Sequence, residues 1–124
     1  EVVRDIPNTI VTAGKTDIAS LISGAGSVMT HMAVGTGTNT VAAGDTTLQT
    51  EIDRNALSVS GGAPSSNTVV FTGVWSASDG TGALTEAGLF SASSGGTMMA
   101  RTVFSAVNKG SSDVLTITWT VTIS

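Results

Sequence analysis

The chain has 124 residues, no cysteine, a formal net charge of −4 and only 11% charged residues. That length supports one domain around one core, and without thiols no disulfide framework can hold it. The basic residues Arg4, Lys15, Arg54, Arg101 and Lys109 are scattered, which argues against the clustered cationic face that nucleic acid requires.

No apolar run approaches the roughly 18 residues that span a bilayer as a helix, and no basic-then-apolar leader opens the sequence. Glu1 stands at the head in place of Met, which reads as a processed or trimmed end. Charge is far below the roughly 25% of ordinary soluble domains, so polarity must come from hydroxyls. There are 20 Thr and 16 Ser beside 15 Gly, and Thr, being β-branched, suits a pleated strand.

In chain order, "VVRDIPNTIV" reads as extended, because Pro7 biases its predecessor away from helix. Residues 1–12 are expected to form an N-terminal arm, with 13–124 a single β-sandwich domain. The arm's apolar residues Val2, Val3, Ile6, Ile10 and Val11 are candidate intersubunit contacts, since apolar side chains on an extended terminus need a cover. "TDIASLIS" can form a short helix with Thr16 or Asp17 as N-cap, Ile18, Leu21 and Ile22 on one side, and Gly24 as its stop. "THMAVG" is a short strand and "GTGTNT" a strand-end turn. "DTTLQTEI" is expected to make one or two helical turns, with Asp45 as cap and Leu48 and Ile52 inward.

Strands follow at the spacing of a sandwich. "RNALSVS" is short. "NTVVFTGVWS" is longer and is bounded by "GGAPSS" and "SASDGTG". "ALTEAGLF" and "TMMARTVFSAV" face each other across "SASSGG". In the second of these, Met98, Ala100, Phe104 and Ala106 share one face; Met99, Arg101, Val103 and Val107 share the other. After the turn "NKGSSD", "VLTITWTVTIS" alternates with period two. Leu115, Ile117, Trp119, Val121 and Ile123 fall on one face, expected buried, and Thr116, Thr118, Thr120 and Thr122 on the other. The fold class is therefore all-β, mainly an antiparallel β-sandwich, with one or two short helices.

Glu86 and Arg101 stand out as one charge on each arm of a hairpin. If Phe90 and Thr97 close that hairpin, the constant index sum of an antiparallel ladder sets Glu86 directly opposite Arg101. Cross-strand opposite charges stabilise by roughly 0.2–1 kcal/mol, so the pair reads as a structural latch, ahead of a binding contact or catalysis.

Little else suggests chemistry. His31 is the lone histidine, between two methionines, and no G-x-S-x-G is present. Asp79 lies in a turn without the further carboxylates of a calcium loop. "GTGTNT" lacks the third glycine and the helix of a phosphate-binding loop. Neither Glu51 with Asp53 nor Asp79 with Glu86 has a spacing diagnostic of paired-carboxylate catalysis. The expectation is no enzyme, with no catalytic, cofactor-binding or metal-ligating residues.

"THMAVGTGTN", then "AAGDTTLQTEIDR", then "LTEAGLF", then "GTMMARTVFSAVNK" and a closing Thr-rich strand resemble small structural proteins of tailed-phage virions. The order, over roughly residues 28 to 123, is similar to the N-terminal domain of phage tail-collar fibre proteins and to short stand-alone head decoration proteins. The resemblance implies a β-rich, non-catalytic attachment module, homo-oligomeric on the phage particle.

Because the sequence stops at Ser124, directly after a strand, without a fibre shaft, the preferred expectation is a capsid decoration (cement) protein. It would form a homotrimer on the virion surface beside the major capsid protein or tail proteins. No nucleic acid, membrane or cofactor is expected as partner. The alternative is a tail-fibre or collar attachment domain. More remote is a carbohydrate-binding β-sandwich, which exposure of Trp75 or Trp119 would favour; both read as core.

Overall fold

The computed structural model of the protein describes residues 9–123. Among them lie eight strands and one helix: β1 Thr9–Ile10, α1 Thr12–Ile22, β2 His31–Gly35, β3 Glu51–Ala56, β4 Ala63–Ser65, β5 Thr68–Trp75, β6 Gly82–Phe90, β7 Met98–Lys109 and β8 Leu115–Thr122. They form a five-stranded sheet, β1-β7-β6-β2-β3, and a three-stranded sheet, β4-β5-β8. Every pairing is antiparallel. The all-β class and the sandwich-like layering follow from the period-two patterning of β5 and β8, while β2 is buried on both faces.

The two sheets enclose the main core, which includes Met32, Val34, Trp75, Leu84, Leu89 and Trp119. Along β8, Leu115, Trp119 and Val121 are buried while Thr118, Thr120 and Thr122 are exposed. Two expectations on this strand need correction. Ile117 is only half-buried, and Ile123 lies one residue past the strand, 57% exposed.

The five-stranded sheet is also covered on its outer face. A second, smaller core of Val11, Ala33, Leu48, Phe90 and Met98 sits there. What covers this face is not a sheet but the 36–50 loop and the segment entering α1.

The boundary between arm and domain moves accordingly. Thr9 and Ile10 pair with Arg101 and Ala100, and the Val11 N–H donates to the Met99 carbonyl. Val11 has no solvent exposure and belongs to the second core, so it is a core residue, not an intersubunit contact; Ile10 is half-buried against the main core. Val2, Val3 and Ile6 lie outside the described residues.

Helix α1 starts at Thr12, four residues before Thr16, and its N-cap is Val11, which supplies no side-chain bond. Gly14, a residue that disfavours helix in isolation, allows this: it packs so closely on β7 that a Cβ would overlap the Met99 backbone. Asp17 does not cap the helix. It is buried mid-helix and accepts the Ser27 N–H at 2.8 Å. The stop at Gly24 holds: its φ is +82°, and the N–H groups of Gly24 and Ala25 return to the carbonyls of Leu21 and Ser20.

Residues 45–52 form no helix. Leu48 is buried as expected, but Ile52 lies in β3 and is 42% exposed. Asp45 caps nothing helical; its Oδ2 accepts the Ala42 N–H.

Candidate functional site

The hairpin of β6 and β7 does not close on the simple register. Ser91 N–H donates to the Thr97 carbonyl, and Gly95 and Gly96 both take positive φ in the loop. Phe90 then pairs with Met98, and irregularities follow at Leu89/Phe90 and Leu84/Glu86. Glu86 therefore lies opposite Val103, and Arg101 opposite Gly88; the directly facing arrangement is corrected. The offset is two residues, a full side-chain period. Both charges stay on the outer face of the sheet and meet diagonally.

There the structure brings them together. Arg101 Nε donates to Glu86 Oε1 at 3.0 Å. Nη2 lies 3.0 Å from the same oxygen but makes no directed hydrogen bond, so it contributes charge without a second well-aimed bond. Glu86 is fully buried and Arg101 is 2% exposed.

Glu86 does more than hold Arg101. Its Oε2 accepts the backbone N–H groups of Gly37 and Thr50, each at 2.8 Å, and Oε1 accepts that of Gln49 at 2.9 Å. Arg101 Nη1 donates to the Asn39 carbonyl at 3.2 Å and to Asp45 Oδ2 at 3.1 Å. Gln49 Oε1 accepts the N–H groups of Thr38 and Asn39, and the Thr85 hydroxyl donates to the Gly37 carbonyl at 2.7 Å. The 36–50 loop is thus tied at both ends to one carboxylate on β6 and one guanidinium on β7.

Burial alone pushes the Glu86 carboxyl pKa up. The amide bonds from Thr50, Gln49 and Gly37 and the bond from Arg101 more than offset that, so it lies below its ordinary value.

Gly35 and Gly37 are small for the same reason: a Cβ at either would run into the Glu86 carboxylate and into loop atoms at Thr50 or Gln49. The "GTGTNT" stretch does cradle an anion through a backbone N–H, but that anion is the protein's own Glu86. The signal available in the sequence was this pair of glycines beside β2. Their partner is 49 residues away from Gly37, so no local pattern announces it.

No known family model, curated protein or solved structure matches the chain.

Two further polar clusters border the clamp. Arg54 on β3 binds Glu51 with both Nε and Nη2, at 3.0 and 2.8 Å, and donates from Nη1 to the carbonyls of Ala92 and Gly95. Its guanidinium lies 3.7 Å over the Phe90 ring. It so fixes the β6–β7 hairpin tip.

Beyond it, Asn55 bridges the Val74 carbonyl and Asp79 Oδ2, and buried Lys109 donates to the Ser76 carbonyl. Burial and then the adjacent Asp79 carboxyl raise the Asp53 pKa. Asp79 is lowered, first by hydrogen bonding with Asp53 and then by Asn55. Glu51 and Asp53 are thus engaged separately: Glu51 with Arg54, Asp53 with Asp79.

His31 Nδ1 lies 2.8 Å from the Thr30 hydroxyl. Among the described residues no three His, Cys, Asp or Glu side chains are grouped to hold a metal ion. Trp75 has no solvent exposure and Trp119 only 5%, so neither indole offers a platform on which a sugar could stack.

Proposed function

We propose that the chain is a non-enzymatic structural module of a tailed-phage virion, with the capsid decoration role preferred over a tail-fibre or collar attachment role. One observation supports this reading: the four sequence blocks that carry the phage resemblance converge on one place. "THMAVGTGTN" supplies β2 and Gly37; "AAGDTTLQTEIDR" supplies Asp45, Gln49 and Thr50; "LTEAGLF" supplies Glu86; "GTMMARTVFSAVNK" supplies Arg101. What resembles phage proteins is therefore the machinery that pins the 36–50 loop to a sheet. A chain that spends its buried charges on fixing a surface loop is suited to presenting that surface to a neighbour.

The test is immunogold labelling of gradient-purified phage particles whose genome encodes the chain. Label on heads in stoichiometric amounts is the expected result. Label on tails selects the attachment alternative. Recovery of the chain only in the particle-free fraction overturns the virion reading.

A further inference from the structure

The edge of a β-sheet presents unpaired backbone N–H and C=O groups that can pair with another strand, and proteins blunt such edges with short strands, charges, proline or bulges. Most edges among the described residues are blunted in this way. β1 is two residues long. β3 carries Glu51, Asp53 and Arg54. β4 has three residues with Pro64 at its centre. Where β7 runs on past β1, it holds extra residues that break its register with β6, and it ends on Lys109.

β8 has none of these devices. It is the last strand of the three-stranded sheet. Its eight residues pair with β5 without a bulge, from Leu115 opposite Trp75 to Thr122 opposite Thr68. Residues 114–123 include neither a charge nor a proline.

The outward groups of this edge can be assigned. Ile123 N–H donates to the Asn67 carbonyl, so by the alternation of an antiparallel ladder the odd-numbered residues of β8 turn their N–H and C=O toward β5. Those of Thr116, Thr118, Thr120 and Thr122 turn toward the open edge, where no described strand takes them up.

The partner these groups fit is a second copy of the same strand. Residues 116–122 read TITWTVT, threonine alternating with apolar residues in either direction, with Trp119 at the centre. Antiparallel pairing about a two-fold axis sets a strand against its own reverse, so it needs a pattern of this kind. With Trp119 at the axis, Thr116 faces the copy's Thr122 and Thr118 faces the copy's Thr120. These are hydrogen-bonded pairs, so each outward N–H and C=O of the four threonines meets a partner. Threonines adjoin threonines on the outer face, half-buried Ile117 adjoins the copy's Val121 on the inner one, and no charge meets its own image.

We propose that two copies of the chain join edge to edge through β8, antiparallel about an axis at Trp119, so that their three-stranded sheets become one continuous sheet. The contact is isologous and closes at two copies; a trimer would require a different surface. The inference does not rest on the virion reading, because both partners are the purified chain and no particle is involved.

Sedimentation velocity over a concentration series tests it with the full chain and two double variants. Thr118→Lys/Thr120→Lys sets lysine opposite lysine across the axis, whereas Thr118→Lys/Thr120→Glu sets lysine opposite glutamate. Both positions are exposed, so the fold is kept, and equal melting temperatures at a dilution where all three are monomers check this. The full chain should form dimers. The dilysine variant should raise the dissociation constant at least about tenfold, and the lysine–glutamate variant should bring it back toward that of the full chain. Hydrogen exchange on the unaltered chain gives a second readout. On concentration, the amides of Thr116, Thr118, Thr120 and Thr122 should slow, while those of Ile117, Trp119 and Val121 stay as they were. A full chain that remains monomeric leaves the edge to a strand of another protein and overturns the proposal. So do undiminished association of the dilysine variant, failure of the lysine–glutamate pair to restore it, and dimers in which the four threonine amides exchange as fast as in the monomer.

Discussion

Removing the charge from Glu86 leaves three backbone N–H groups and the Arg101 Nε facing a neutral side chain. In Glu86→Gln one of these donors must meet an amide NH2. Breaking a buried ion pair on one side costs about 3–5 kcal/mol, and urea unfolding should register a loss of that size. Arg101→Met keeps the apolar stem and leaves Glu86 with three amide bonds, so its cost should be smaller. The double variant should fall short of the summed singles by about 0.5–3 kcal/mol; strict additivity would contradict the clamp. The sign with pH follows from the lowered Glu86 pKa. Its stabilisation is fully present above the unfolded value of about 4.3 and is lost as pH falls through the folded one. Stability should drop steeply in that acid range, and Glu86→Gln should flatten the drop. Asp53 has the opposite sign: its raised pKa makes the ionised form unfavourable in the fold. Asp53→Asn should therefore raise the melting temperature near neutral pH, with the gain fading in acid as the native Asp53 takes up its proton.

At the scale of elements, the clamp divides the 36–50 loop into held and free amides. The N–H groups of Gly37, Gln49 and Thr50 end on a buried carboxylate, whereas those of Thr38 and Asn39 end on the exposed Gln49 side chain. Hydrogen exchange should find the first three as protected as β6 and β7, and the other two much faster. Gly37→Ala places a methyl group against the Glu86 carboxylate and should release the whole set together.

Long alternating strands were legible in the sequence because a period of two in β8 needs only its own residues to reveal it. The Glu86–Arg101 contact was legible as far as parity, since an offset of two keeps the face. The exact register was not, because the extra residues sit on β7, at Met99 and between Val103 and Val107, and no pattern in either strand announces them. Residues 45–52 carry a local helical signal that the fold overrides. Asp45 and Leu48 resemble a cap and an inward residue, but tertiary contacts with Arg101 and the second core decide their conformation. The start of α1 was missed because Gly14 is a poor helix residue whose merit is its closeness to Met99.

For the whole molecule, two buried indoles on paired strands of the three-stranded sheet, β5 and β8, give a direct report on integrity. Trp75 and Trp119 both belong to the main core, so native fluorescence should be blue-shifted and resistant to soluble quenchers. Its red shift on heating should coincide with loss of far-ultraviolet signal if the two sheets unfold as one cooperative unit. Separated transitions would mean that the three-stranded sheet melts independently.

Lys109 is 3% exposed with its ammonium on the Ser76 carbonyl, while Lys15, the other lysine of the chain, stands exposed on α1. An amine-reactive reagent applied to the folded protein should therefore modify only one lysine side chain, Lys15, and peptide mapping should find the second modified only after unfolding. The burial of one ammonium thus turns the molecule into a scaffold for site-selective conjugation, with a dye, cross-linker or solid support attached three residues from Ile18.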